Sequence, residues 1–303
     1  MMGPAGASVS SKKEMLIMIG PGGVLVTFMT PMLLWLLANI ISGESSVKFE
    51  TLCENPPLQY ANAVNREELP PFQVFKNILS PTECKNISEF VHNVGLSPDP
   101  SSLYFLERNK NIRFIKVVDG GFEIMNKNYF KQSDKYNDFS GGYDRHYDLI
   151  PEHVVLGPMF NLLTFFIEHL SIPVNTIILA HLQSSSIRAN IDGGDVTGQG
   201  IHTDGSDDVM MICVKRDNVL GAENQYHASL DGSQLLGSST LEAGDGVVVK
   251  DNEIFHYVTK ATTNEPIAHR IMIVIHSPFD GNGDQNPNNK LGKNPATNQL
   301  RYD

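Results

Sequence analysis

Gly200-Ile-His-Thr-Asp-Gly205 runs, after two residues, into Asp208-Val-Met-Met-Ile-Cys-Val-Lys215, and this stretch decides how the chain is read. The apolar run reads as a buried strand. The residues ahead of it set His202 and Asp204 two apart, and on extended backbone positions i and i+2 share a face. An imidazole and a carboxylate therefore point the same way. Working outward, similar short segments recur at Thr176–Leu182, Ser186–Ile191, Gly246–Lys250, Phe255–Lys260 and Ile271–His276. Turn signals separate them at Asp192-Gly-Gly194, Leu230-Asp-Gly232 and Ala243-Gly-Asp-Gly246. Many strands without alternating helices predict a jelly roll, a cupin-like double-stranded β-helix, rather than a parallel α/β sheet.

Upstream, the reading changes to helices. Ser80-Pro-Thr-Glu83 is a capping-box pattern with Pro at the first helical position, opening a helix to about Asn93 with Ile87, Phe90, Val91 and Val94 on its apolar face. A second helix is predicted over Pro158–Leu170, where Met159, Leu162, Leu163, Phe166 and Leu170 form a core stripe. Residues 42–71, interrupted by Asn55-Pro-Pro57 and Pro70-Pro71, read as a linker. The domain then spans 72–279, and the Asn-, Gly- and Pro-rich tail 280–303 is expected to be disordered.

The 303 residues hold one sizeable domain plus an extra segment, and 41% apolar with 19% charged residues is ordinary globular composition. A net charge of −11 and no Lys/Arg run exclude a nucleic-acid backbone as main partner. Cys53, Cys84 and Cys213 fit no zinc-finger spacing; Cys213 reads as core, and Cys53 with Cys84 can pair only in an oxidising compartment. The anomaly is Met15–Ile41, a run of 27 residues without a charge or histidine. After the breaker Gly20-Pro-Gly-Gly23, Val24–Ile41 would reach about 27 Å as a helix, nearly a bilayer core. A transmembrane anchor over 15–41 is the expectation, ahead of a cleaved signal peptide or a core helix. Lys12 and Lys13 before it, and five Glu between Glu44 and Glu68, put residues 1–14 in the cytoplasm and the domain on the lumenal or extracytoplasmic side. The sequon Asn86-Ile-Ser88 is compatible with that topology.

Of ten histidines, His92, His153, His169, His181 and His227 have no partner at ligand spacing and read as surface or satisfied core. His256, in Ile254-Phe-His-Tyr-Val258, lies on another predicted strand and completes a set with His202 and Asp204. Two His and one carboxylate make the facial triad that holds Fe(II) with open positions. Arg270 follows His256 by 14 residues and opens the apolar strand Ile271-Met-Ile-Val-Ile275. A guanidinium aimed into a core needs an anion, and it matches a carboxylate bidentately. A structural salt bridge is the alternative for Arg270.

Taken together, these motifs resemble the 2-oxoglutarate/Fe(II) dioxygenase family that includes bacterial L-isoleucine hydroxylases. The matching stretches are Ser186-Ile-Arg-Ala-Asn190, Gly200–Gly205, Arg216-Asp-Asn218 with Gly221-Ala-Glu223, Gly244-Asp-Gly246, Asp251 through Thr259, and Arg270. Tyr136-Asn-Asp-Phe-Ser-Gly-Gly142 with Arg145 is similar to the family's Gly-Gly-x-x-Arg segment. Where that pattern has a Gly-Gly-Glu turn, this chain has Gly221-Ala-Glu223. The resemblance implies Fe(II) on His202, Asp204 and His256, 2-oxoglutarate anchored by Arg270, and O2 as oxidant. It implies hydroxylation of an aliphatic C–H of a small substrate, an amino acid or derivative, with release of succinate and CO2. Arg145 and Arg188 are candidates for the substrate carboxylate. Two other classes remain open at this point: a non-catalytic jelly-roll binding module, and a zinc hydrolase using the same ligands.

Overall fold

The computed structural model describes residues 14–20, 23–29, 46–48, 66–100, 107–137, 140–189, 196, 199–283 and 291. In chain order, the strands that build the body are Phe72–Phe75 (β1), Arg108–Val118 (β2), Gly121–Met125 (β3), Ile177–Arg188 (β4), Asp208–Asp217 (β5), Asn224–His227 (β6), Leu235–Ser239 (β7), Gly246–Val249 (β8), Phe255–Val258 (β9) and Ile267–Ser277 (β10). The helices that cover it are Pro81–Asn93 (α1) and Phe160–His169 (α2). The main sheet runs β3-β2-β4-β10-β5-β8-β1, and a smaller sheet runs β7-β6-β9. An isolated bridge between His202 and His256 extends the smaller sheet. This two-sheet, antiparallel arrangement is the predicted jelly roll.

Period-two alternation decides which side of the main sheet is wet. On β10, Ile271, Ile273 and Ile275 join the apolar cluster under the helices, with Met210, Ile212 and Val214 of β5 and Ile178, Ala180 and Leu182 of β4. Helices α1 and α2 bring Ile87, Phe90, Leu162, Leu163 and Phe166 to that face. The intervening residues of β10, namely Arg270, Met272, Val274 and His276, line a cavity between the two sheets. Helix α1 starts where its capping box predicts: Glu83 N donates to Ser80 Oγ at 3.2 Å, and Ser80 N donates to Glu83 Oε2 at 2.7 Å.

Several expectations are corrected. The strands expected at Thr176–Leu182 and Ser186–Ile191 merge into the single strand β4, Ile177–Arg188, because the polar Gln183 between them faces the cavity rather than forming a turn; Asn190 and Ile191 lie outside the described residues. The β texture expected only from Asn175 begins upstream, since β2 and β3 belong to the main sheet. The charges of β2 hid it: Arg108 and Lys110 line the cavity, and Arg113 on the other side donates to the Ile150 carbonyl. The expected membrane helix is also corrected over its described part. Glu14–Gly20 and Gly23–Met29 instead pair as antiparallel strands, an arrangement that the breaker sequence Gly20-Pro-Gly-Gly23 and the β-branched Ile17, Ile19, Val24, Val26 and Thr27 favour. Among the described residues no helix is long and apolar enough to cross a membrane. Residues 30–45, which hold the rest of that expected span, lie outside the described residues.

Within the stretch read as a linker, Ser46–Lys48 pairs with β3, and Arg66 forms a salt bridge to Asp208 at 2.8 Å. Cys53, and the tail at 284–290 and 292–303, lie outside the described residues. Cys84 and Cys213 are buried free thiols. The Gly221-Ala-Glu223 departure falls on a demanding position: Ala222 is fully buried with φ +50, a conformation in which glycine meets no Cβ penalty.

Candidate active site

His202 and Asp204 do not sit on a continuous strand. His202 N donates to His256 O at 3.0 Å and His256 N to His202 O at 2.9 Å, so one bridge brings the two imidazoles to a centroid distance of 4.4 Å. The loop after it is pinned from behind. Fully buried Asp251 accepts from Asp204 N at 3.0 Å and from Ser206 N at 2.9 Å. Gln132 Nε2 donates to the Asp204 carbonyl at 3.0 Å. Gly205, at φ +85, lies under Tyr136, where a Cβ would come within 2.5 Å of the ring. These contacts explain why a loop, normally the mobile part of a fold, can hold a metal ligand in place.

One ligand atom from each of His202, Asp204 and His256 lies within 4.8 Å of the others. His202 Nδ1 contacts the Gly200 carbonyl at 2.8 Å; a carbonyl can only accept, so Nδ1 carries the proton and Nε2 the lone pair. His256 Nε2 lies 3.4 Å from Asp204 Oδ2 and 3.2 Å from Asp251 Oδ1, yet has no well-aligned hydrogen bond. Burial disfavours charge on His256, but the Asp204 and Asp251 carboxylates outweigh it and push its pKa up to about 10. Burial, opposing the charge of Asp204, is likewise outweighed by its histidine neighbours, which hold it well below the usual carboxylate range. Burial lowers the His202 pKa, and His256 adds to this. A divalent ion would replace the proton on His256 and satisfy its orphaned nitrogen, so the donor set fits Fe(II).

Arg270 lies on the same cavity wall. It is buried, its Nε has no hydrogen-bond partner, and no carboxylate among the described residues pairs with it. Burial is the main cause that lowers its pKa to about 10, so it still carries its charge at neutral pH. The salt-bridge alternative therefore finds no partner among the described residues. Arg145 is also buried and lines the cavity, donating to Ser140 Oγ at 3.0 Å and Gln132 Oε1 at 3.1 Å, with its guanidinium 4.5 Å from the Phe130 ring centroid. Arg188 is not brought to the cavity. It is half exposed and pairs with Glu107 at 3.0 Å on the surface, because its place on β4 points it away.

Sequence reasoning missed further cavity residues. His181, read as surface or core, lines the cavity with its ring 4.9 Å from His276, and the His276 Nδ1 is 3.9 Å from Asp204 Oδ2. His276 was findable, since it stands six residues after Arg270 and so on the same face of one strand. Lys110 and Gln132 gave no local motif, because they come from strands hidden by their own polarity.

The 2OG-Fe dioxygenase family profile matches residues 95–276, more than half of the chain. Among solved structures, a bsmA homologue from Methylobium petroleophilum PM1 is 22% identical at a TM-score of 0.58, covering 77% of this chain and 97% of that one. The IDO protein of Bacillus thuringiensis is 16% identical at a TM-score of 0.52, covering 69% and 90%. The Fe(II)/α-ketoglutarate-dependent dioxygenase TqaL is 12% identical at 0.50, covering 82% and 90%. No match was found among the curated proteins. These identities establish the shared fold alone, and it is the profile match over the segment carrying His202, Asp204, His256 and Arg270 that identifies the chain as a member of the 2OG-Fe dioxygenase family.

Proposed function

We propose that this enzyme hydroxylates an aliphatic C–H of a small carboxylate-bearing substrate, an amino acid or derivative, at an iron held by His202, Asp204 and His256. The observation that carries the reading is the buried, unpaired Arg270 on the same cavity wall as the triad. Fe(II) with 2-oxoglutarate and O2 supplies oxidative decarboxylation to succinate and CO2 together with the oxidising power for hydroxylation. The chain's own residues do the rest. Arg270 would hold the far carboxylate of 2-oxoglutarate and so orient the cosubstrate in the cavity. Arg145, preset by Ser140 and Gln132, orients the substrate carboxylate. Met211, Met272, Val274 and Val258 exclude water from the space between.

The test is anaerobic loading of the full chain with Fe(II) and 2-oxoglutarate, followed by O2. A weak visible charge-transfer band and then succinate are expected. Folded protein giving neither result would move the assignment to a binding module. Placement of the domain on the extracytoplasmic side is a separate proposal, supported by Lys12 and Lys13 ahead of the uncharged run and the acidic stretch after it. Protease protection in sealed vesicles decides it.

A further inference from the structure

Arg66 reaches the metal loop from outside the expected domain, standing ahead of residue 72 and of the profile match at 95–276. Its guanidinium forks onto the buried Asp208, with Nε 2.8 Å from Oδ2 and Nη2 3.0 Å from Oδ1. The same Nη2 lies 3.1 Å from the Asp207 carbonyl oxygen and 3.3 Å from Asn252 Oδ1. Asn252 Nδ2 in turn donates to Asp207 Oδ1 at 2.8 Å. Arg66 therefore joins two segments, the loop running from Asp204 to the start of β5 and the turn that carries Asp251 and Asn252. A planar fork with several donors suits that task, where a single ammonium could hold one partner at a time.

Both segments serve the iron ligands. Asp251 accepts from the amides of Asp204 and Ser206, so any shift of its turn moves the acceptors that hold the Asp204 loop. At the other end of that loop, the Asp207 amide donates to the Ser277 carbonyl of β10 at 2.9 Å. We propose that Arg66 is a positioning residue for the iron site, a clamp that locks the Asp251 turn onto the Asp204 loop and so sets where the Asp204 carboxylate stands. This deepens the oxygenase reading above and rests on it. A second ion pair supplies the comparison. Lys76, just after β1, holds the buried Asp245 at 2.7 Å, but Asp245 belongs to the turn before β8 and is not among the residues lining the cavity. The two pairs share their chemistry and differ in what they hold.

The experiment compares the full-length wild type with Arg66→Met and Lys76→Met in two readouts. The first is amide hydrogen exchange across residues 203–208 in metal-free protein. The second is an anaerobic Fe(II) titration, followed through the charge-transfer band with 2-oxoglutarate. In Arg66→Met, exchange across that segment should quicken at least about tenfold, the worth of one charge-assisted hydrogen bond. Fe(II) affinity should fall about tenfold, the lower end of the loss expected when a partner behind the ligands is removed. Lys76→Met should leave both readouts at wild-type values, whatever it does to Tm. The proposal is overturned if Arg66→Met keeps the wild-type value in either readout, or if Lys76→Met shifts them equally. Should Arg66→Met fail to fold, Asn252→Ala decides by the same two readouts, since it cuts the tie to the Asp251 turn and spares the pair with Asp208. A wild type that forms no band would fail the oxygenase reading, while exchange in the metal-free proteins would still decide whether Arg66 orders the loop.

Discussion

The two faces of strand β10 carry opposite assignments on one backbone. Its helix side presents Ile271, Ile273 and Ile275 to a closed apolar cluster, and its cavity side presents Arg270, Met272, Val274 and His276. The first face is satisfied by packing alone. The second leaves Arg270 Nε and His276 Nδ1 buried without hydrogen bonds. A stable fold tolerates such groups where a ligand completes them, so the unsatisfied face is the functional one and the packed face gives it rigidity. Substitutions on the two faces should then fail in different ways.

The largest effect is expected at the metal. His202→Ala removes one of three ligands from the loop that Asp251 holds, and succinate formation should fall to background while circular dichroism stays native. Full turnover by this variant would end the iron assignment. Next is Arg270→Ala, which strips the buried cation from the cosubstrate carboxylate, a loss of about 2–5 kcal/mol. The KM for 2-oxoglutarate should rise at least about thirtyfold, with the metal affinity unchanged. An unaltered KM would return Arg270 to a structural role.

On the opposite face, Ile273→Ala leaves a cavity beneath the helices and should cost about 2–5 kcal/mol of stability. Enzyme that remains folded should keep its KM for 2-oxoglutarate. A change in KM equal to that of Arg270→Ala would erase the distinction between the faces. Between the two lies Asp251→Asn, which weakens the backbone bonds holding Asp204. Fe(II) affinity should drop by about 10- to 100-fold, read directly by titration.

How much of this was legible in sequence follows the same division. The apolar face announces itself by alternation, as in Ile271, Ile273 and Ile275, and α1 by its capping box. The metal ligands were legible because His202 and Asp204 stand two apart. Strand β2 was not, since Arg108 and Lys110 look like a solvated surface until Asp99 and the cavity are seen around them. Asp251 and Gln132 bind backbone atoms of a loop 47 and 72 residues away along the chain, and no local pattern encodes such a contact. Arg145 and Arg188 were equivalent as letters. Burial separates them, one against Phe130 and the other in a surface pair with Glu107.

The smallest expected effect tests whether the packed face is only a support. Ser80→Ala removes the hydroxyl that accepts from Glu83 N, and Glu83 also accepts from Asn161 of α2 at 3.0 Å. The cap is exposed, far in sequence from the triad, and linked to the site only through the helices it steadies. Loss of an N-cap costs about 1 kcal/mol, which for a domain of this size lowers Tm by roughly 2–4 °C. If the helix layer acts only by rigid support, that drop should leave kcat and both KM values as they were. A cap variant with a normal Tm but a raised KM for 2-oxoglutarate would mean that the helix layer and the cavity move together, and that the two faces of β10 are coupled rather than separate.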